Sequence, residues 1–101
     1  MVIKIVPNDR GNPPGKLAEA EIHFTEGELA GLKLMGFAVW ERRTGTGRNV
    51  TFPARSYVVN GERRAYTLLR PFGEQQQAQD RVRDRILQAY DELQSQIAVA
   101  S

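Results

Sequence analysis

Ser56-Tyr57-Val58-Val59-Asn60-Gly61-Glu62-Arg63-Arg64-Ala65-Tyr66-Thr67-Leu68-Leu69 is the most informative stretch of the chain. Two β-prone runs flank Asn-Gly. A type I′ turn needs positive φ at both central residues, and Asn-Gly supplies it at least cost. The stretch therefore predicts an antiparallel hairpin. Working back, Val50-Thr51-Phe52 reads as a strand that Pro53 ends or places at an edge, because proline has no N–H to give a ladder.

Leu29 to Glu41 is the most apolar run. Read as a strand, it puts Leu32, Leu34, Gly36, Ala38 and Trp40 on one face and Lys33, Met35, Phe37 and Val39 on the other. Both faces would then be largely apolar and in need of cover. One helix covers only one of them, which leaves the second for a partner subunit. A buried helix is the competing reading. Gly36 would cost its interior about 1 kcal/mol, and Phe37-Ala38-Val39-Trp40 favours a strand.

Leu17 to Phe24 alternates, with Ala18, Ala20, Ile22 and Phe24 on one face and Glu19, Glu21 and His23 on the other, a half-buried strand. Val2 to Val6 is a shorter one. Asn8 to Gly15, with two glycines and two prolines, is a loop, and Thr25 to Glu28 a turn. Beyond Pro71-Phe72-Gly73 there is neither proline nor glycine. Ala78, Val82, Ile86, Tyr90, Leu93 and Ile97 recur every three or four residues, one stripe of an amphipathic helix over about 74–97. Glu74 would sit in its first turn, and Asp80 with Arg83 or Asp84 with Arg81 would pair across a turn. The fold class expected is α+β: a small antiparallel sheet of about five strands with one C-terminal helix packed on it, as a single domain over 1–101.

Composition narrows the function. The 101 residues contain no cysteine, which removes disulfides, thiolate catalysis and thiolate metal sites. No run approaches the roughly 18 apolar residues that span a membrane. The start, Met1 to Pro7, is too short for a signal peptide, so a cytoplasmic protein is the default expectation. Net charge is +2, unevenly spread: residues 41–70 hold seven arginines against two glutamates, while the segments on either side are slightly acidic. Those arginines are Arg42, Arg43, Arg48, Arg55, Arg63, Arg64 and Arg70. Guanidinium forks suit phosphate, and Tyr57, Tyr66 and Trp40 are able to stack on bases. The plainer alternatives are a solvated arginine-rich surface and, for Trp40, a place in the core or an interface.

Motifs for catalysis are missing. Gly45-Thr46-Gly47 lacks the ending of a phosphate-binding loop and reads more simply as a turn. His23 is the only histidine and has no second histidine or cysteine to share a metal. It would also be the only base for Ser56 in a triad. No enzyme, no cofactor, no metal and no small-molecule substrate are expected.

Gly15-Lys16-Leu17, the alternating strand, the run through Gly36-Phe37-Ala38-Val39, Val50-Thr51-Phe52-Pro53-Ala54-Arg55, the Asn60-Gly61-Glu62 turn and the helix with Val82, Ile86, Leu87, Tyr90 and Leu93 together resemble the SpoVG family (stage V sporulation protein G) over residues 1–94. The resemblance implies a small antiparallel sheet with a C-terminal helix, in a bacterial, cytoplasmic, dimeric regulator that binds DNA and RNA. In that family a basic pair follows the proline. Here the position reads Arg55-Ser56, one charge fewer, while Arg64 matches a basic position after the turn and the Arg42–Arg48 loop looks like an insertion. The expected function is thus a homodimeric nucleic-acid-binding regulator contacting DNA or RNA phosphates through the seven arginines. The alternative is a protein-interaction module that recruits its partner through apolar strands and open sheet edges.

Overall fold

The computed structural model describes residues 1–42 and 47–100, with side chains through Ile97. The described elements are β1 (Val2–Pro7), β2 (Lys16–His23), β3 (Lys33–Glu41), β4 (Arg48–Thr51), β5 (Ala54–Val59), β6 (Glu62–Thr67) and α1 (Ala78–Ala100). All neighbouring strands run antiparallel. The α+β class and the C-terminal helix packed on the sheet are as the sequence predicts. The strands, however, are divided between two sheets: β1-β2-β3-β4 in that order, and β5-β6 apart from it.

The core lies between the four-stranded sheet and α1. Ala18, Ala20 and Ile22 of β2, Phe37 and Val39 of β3, and Val50 of β4 are buried against Ile86 and Tyr90 of the helix. Ile3, Ile5, Phe24 and Leu34 pack around them. The two alanines at the centre of the sheet leave room for the bulky helix residues above them. The helical stripe behaves as its spacing predicts except at its end, where Ile97 is half exposed. The helix starts later than expected. Residues 74–77 form turns, closed by Gln75 N–H to Phe72 C=O and Ala78 N–H to Gln75 C=O, so Glu74 precedes the helix and Asp80 is the acid of its first turn. Asp80 pairs with Arg83 at 2.6 Å.

β3 departs from strict alternation. Leu29 to Leu32 form a turn, and the strand begins at Lys33. Ala20 pairs with Phe37 but Ile22 pairs with Leu34, so two steps along β2 match three along β3. The extra residue is a β-bulge centred on Met35-Gly36, and Gly36 has φ +107°. After a bulge the pleat changes face. Leu34 and Phe37, assigned to opposite faces by simple alternation, both point toward the helix. The apolar run therefore does not build two equal apolar faces. The outer face keeps Ala38 and a half-buried Trp40, whose indole N–H donates to Thr51 Oγ1 at 2.9 Å.

Gly36 also carries the junction with the second sheet. A Cβ at this position would lie 2.8 Å from the Cβ of Pro53, which is buried. Pro53 ends β4, and the chain leaves the sheet there. β5 and β6 then form a two-stranded arm, about 20 Å long at the usual rise per residue. Asn60 (φ +52°) and Gly61 (φ +80°) turn it as the sequence predicts. The arm is fastened at its base. Leu68 N–H donates to Pro53 C=O at 2.8 Å, and Gln79 Nε2 donates to Leu69 C=O at 2.8 Å and to Thr67 Oγ1 at 3.3 Å. Every residue of β5 is exposed. The projection shows in the radius of gyration, 15.4 Å, where a compact chain of this length has about 13 Å.

Gly36→Ala tests the junction. It adds a methyl group against a buried ring and a side chain in a disfavoured backbone region, with an expected loss of about 1–3 kcal/mol. A urea midpoint equal to that of the natural chain would show the contact to be inconsequential.

Candidate nucleic-acid interface

The arm's register decides which side chains share a face. Val59 opposes Glu62 across the turn, and counting outward Val58 opposes Arg63, Tyr57 opposes Arg64, Ser56 opposes Ala65, Arg55 opposes Tyr66 and Ala54 opposes Thr67. Cross-strand partners lie on the same side of a ribbon and successive residues alternate. One face thus carries Arg55, Tyr57, Arg64 and Tyr66, with Val59 and Glu62 toward the tip. Arginine faces tyrosine in both rungs, in opposite senses, giving a checkerboard. The two tyrosine rings meet on the diagonal with centroids 5.7 Å apart and planes inclined at 53°. Both remain open to solvent, Tyr57 at 41% and Tyr66 at 38%. Arg64 reaches Glu62 at 3.2 Å, an exposed pair of small energetic weight.

The opposite face carries Ala54, Ser56, Val58, Arg63, Ala65 and Thr67, small apart from Arg63 and evenly split between apolar and polar groups. Arg70 follows the arm. From Ala54 to Arg70 the segment holds four arginines against Glu62 alone, a net charge of +3.

The remaining arginines of the expected set lie elsewhere. Arg42 follows β3 and is exposed. Arg43 falls outside the described residues. Arg48, on β4, is already engaged: its guanidinium pairs with Asp91 at 2.6 Å and lies 4.8 Å from the ring centre of Tyr90. It fastens the helix to the sheet. Among the described residues, the hairpin arginines thus lie on a different sheet from Arg48, because the hairpin is not part of the four-stranded sheet. Trp40 also stands apart from the two tyrosines, on that sheet. The pairing of arginine with tyrosine is the feature that scanning residues one by one misses. It was open to discovery from the turn alone, since a two-residue loop fixes every rung above it.

His23 sits on the outer face of the main sheet. Its ring N–H donates to Glu21 Oε1 at 2.9 Å, and Lys33 Nζ lies 3.4 Å from the same oxygen. A cation at this carboxylate would have to displace the ammonium. Among the described residues no cluster of three or more histidine and acidic side chains is placed to hold a metal ion. The hydrogen bond from His23 is the largest influence on Glu21. Burial opposes it and the charge of Lys33 reinforces it, and together they hold the carboxyl below its ordinary value.

No family model, curated protein or solved structure matches this chain.

The Glu21 cluster has a definite pH signature. A carboxyl with a lowered native pKa contributes stability above its ordinary value of 4.5, and that contribution is lost as pH falls through the native pKa. Glu21→Gln removes the ionisable group. The variant is expected to be less stable at neutral pH and to lose less stability on acidification, read as urea midpoints above and below pH 4.5. Parallel pH profiles for the two proteins would refute the assignment.

Proposed function

We propose that this chain is a bacterial, cytoplasmic, non-enzymatic regulator of the SpoVG type, which acts as a homodimer and binds DNA or RNA. The observation that carries the reading is the arm face on which Arg55 and Arg64 alternate with Tyr57 and Tyr66. Arg63 adds charge on the arm's opposite face, and Arg70 follows its base. Guanidinium groups held on a two-stranded ribbon give phosphate oxygens several donors at once, and the ribbon's narrow cross-section brings them to a polyanion without steric interference from the rest of the domain. Arg42 is exposed just after β3, which belongs to the other sheet. Arg48, held by Asp91 and Tyr90, belongs to the helix packing instead.

Support for a second copy comes from the arm and the segment after it. Val58 is 66% exposed, Leu68 54% and Phe72 84%. A two-stranded ribbon is marginally stable in water without further packing. A partner chain over these apolar groups would supply it.

The reading is tested by fluorescence-anisotropy titration with labelled DNA and RNA at two salt concentrations. Arg55→Ala combined with Arg64→Ala is expected to weaken binding and reduce the logarithmic salt slope by about 1.4, two phosphate contacts at about 0.7 each on a single strand. Unchanged affinity and slope would place the interface elsewhere. No binding by the natural chain at low salt would remove the nucleic-acid reading and leave the arm as a protein-interaction element. Light scattering at micromolar concentration is expected to give the mass of a dimer, and a monomer would remove that part of the proposal.

A further inference from the structure

We infer that the arm face is built for single-stranded nucleic acid, with unstacked bases lying on Tyr57 and Tyr66 and the intervening phosphates held by Arg55 and Arg64. The inference rests on the nucleic-acid reading above and assigns the form of the ligand. Its ground is the geometry of the rings. Their centroids are 5.7 Å apart, whereas bases in a duplex strand follow one another at about 3.4 Å. The pair thus matches bases drawn away from one another on an extended strand. In a duplex, the base faces are occupied by their neighbours, and only edges and phosphates are on offer.

The alternation supplies the second argument. Along β5, Arg55 and Tyr57 are two residues apart, about 6.8 Å at the usual rise, and along β6 Arg64 and Tyr66 repeat the spacing in the opposite sense. A strand laid over the ribbon meets an aromatic surface and a guanidinium at each step, whichever β-strand it follows. This is the combination that binds single strands without regard to sequence: stacking surfaces that accept any base and cations that track the backbone. Glu62, paired with Arg64 at 3.2 Å, occupies the arginine in the free protein and is released when a phosphate arrives.

The test compares short fluorescein-labelled DNA and RNA oligonucleotides of mixed sequence with their duplexes, at matched salt, using the full chain. The natural protein is expected to prefer the single strand. Tyr57→Ala and Tyr66→Ala are each expected to weaken single-strand binding about 5- to 100-fold, the loss of one stacked base. Duplex binding should stay where it was. Tyr57→Phe and Tyr66→Phe keep the ring and are expected to retain single-strand affinity, which separates stacking from a role of the hydroxyls and from damage to the arm. Glu62→Gln is expected to tighten binding. Equal or tighter binding of duplex would overturn the inference while leaving the nucleic-acid reading in place. Failure of the natural chain to bind any of the probes would overturn both. Loss of self-association in the alanine variants, with nucleic-acid affinity unchanged, would assign the face to contact between copies of the chain and overturn the inference as well.

Discussion

The approach of Pro53 to Gly36 is the constraint on which the molecule turns. With no side chain at Gly36, the backbone of β3 bulges, and Leu34 and Phe37 reach the same side of the sheet despite a spacing that would separate them. The space left over is filled by Pro53. The proline in turn stops β4 from growing along β3 and sends the following residues out of the sheet. One glycine therefore completes the core and also releases the arm.

The two parts so created are stabilised differently. The sheet and helix are held by burial: Phe37, Ile22, Ile86 and Val39 are fully enclosed, with Tyr90 beside them and Arg48 closing over its ring. The arm has no such core. Its order comes from a turn whose residues favour the conformation, from cross-strand pairs worth a few tenths to about 1 kcal/mol each, and from hydrogen bonds at its base. An element with so little burial of its own, carrying tyrosines, valines and arginines on open faces, contributes little to the burial that holds the domain together.

Much of this was legible in the chain. The hairpin, the alternating β2, the loops around Pro13 and Pro14 and the helical stripe all follow from local rules, and they fix the α+β class. Two features did not. The bulge at Gly36 is invisible to a pattern of period two, because the run on both sides of it is apolar and alternation gives no warning of a slip. The division of the strands into two sheets depends on the fit between Gly36 and Pro53, residues far apart in sequence. For the same reason the seven arginines read as one surface when the chain is taken as a single sheet. That Arg55, Arg63 and Arg64 lie on the arm while Arg48 clasps the helix needs the tertiary structure. The checkerboard of Arg55, Tyr57, Arg64 and Tyr66, by contrast, is implicit in Asn60-Gly61 once the rungs are counted.

An arm fastened, among the described residues, at its base has a thermodynamic identity of its own. Breaking the few hydrogen bonds from Leu68 and Gln79 opens it without exposing Phe37 or Ile86, so its backbone amides lie at the low end of the protein's stability range while those of β2 and β3 report global unfolding. Were the proposed ligand to occupy the arm, its ordering cost would fall on a small cooperative unit rather than on the whole domain. Such occupancy would slow amide exchange in residues 54–67 first and shift the cooperative melting of the domain only weakly. The arm can be ordered and released many times while the sheet and helix stay folded.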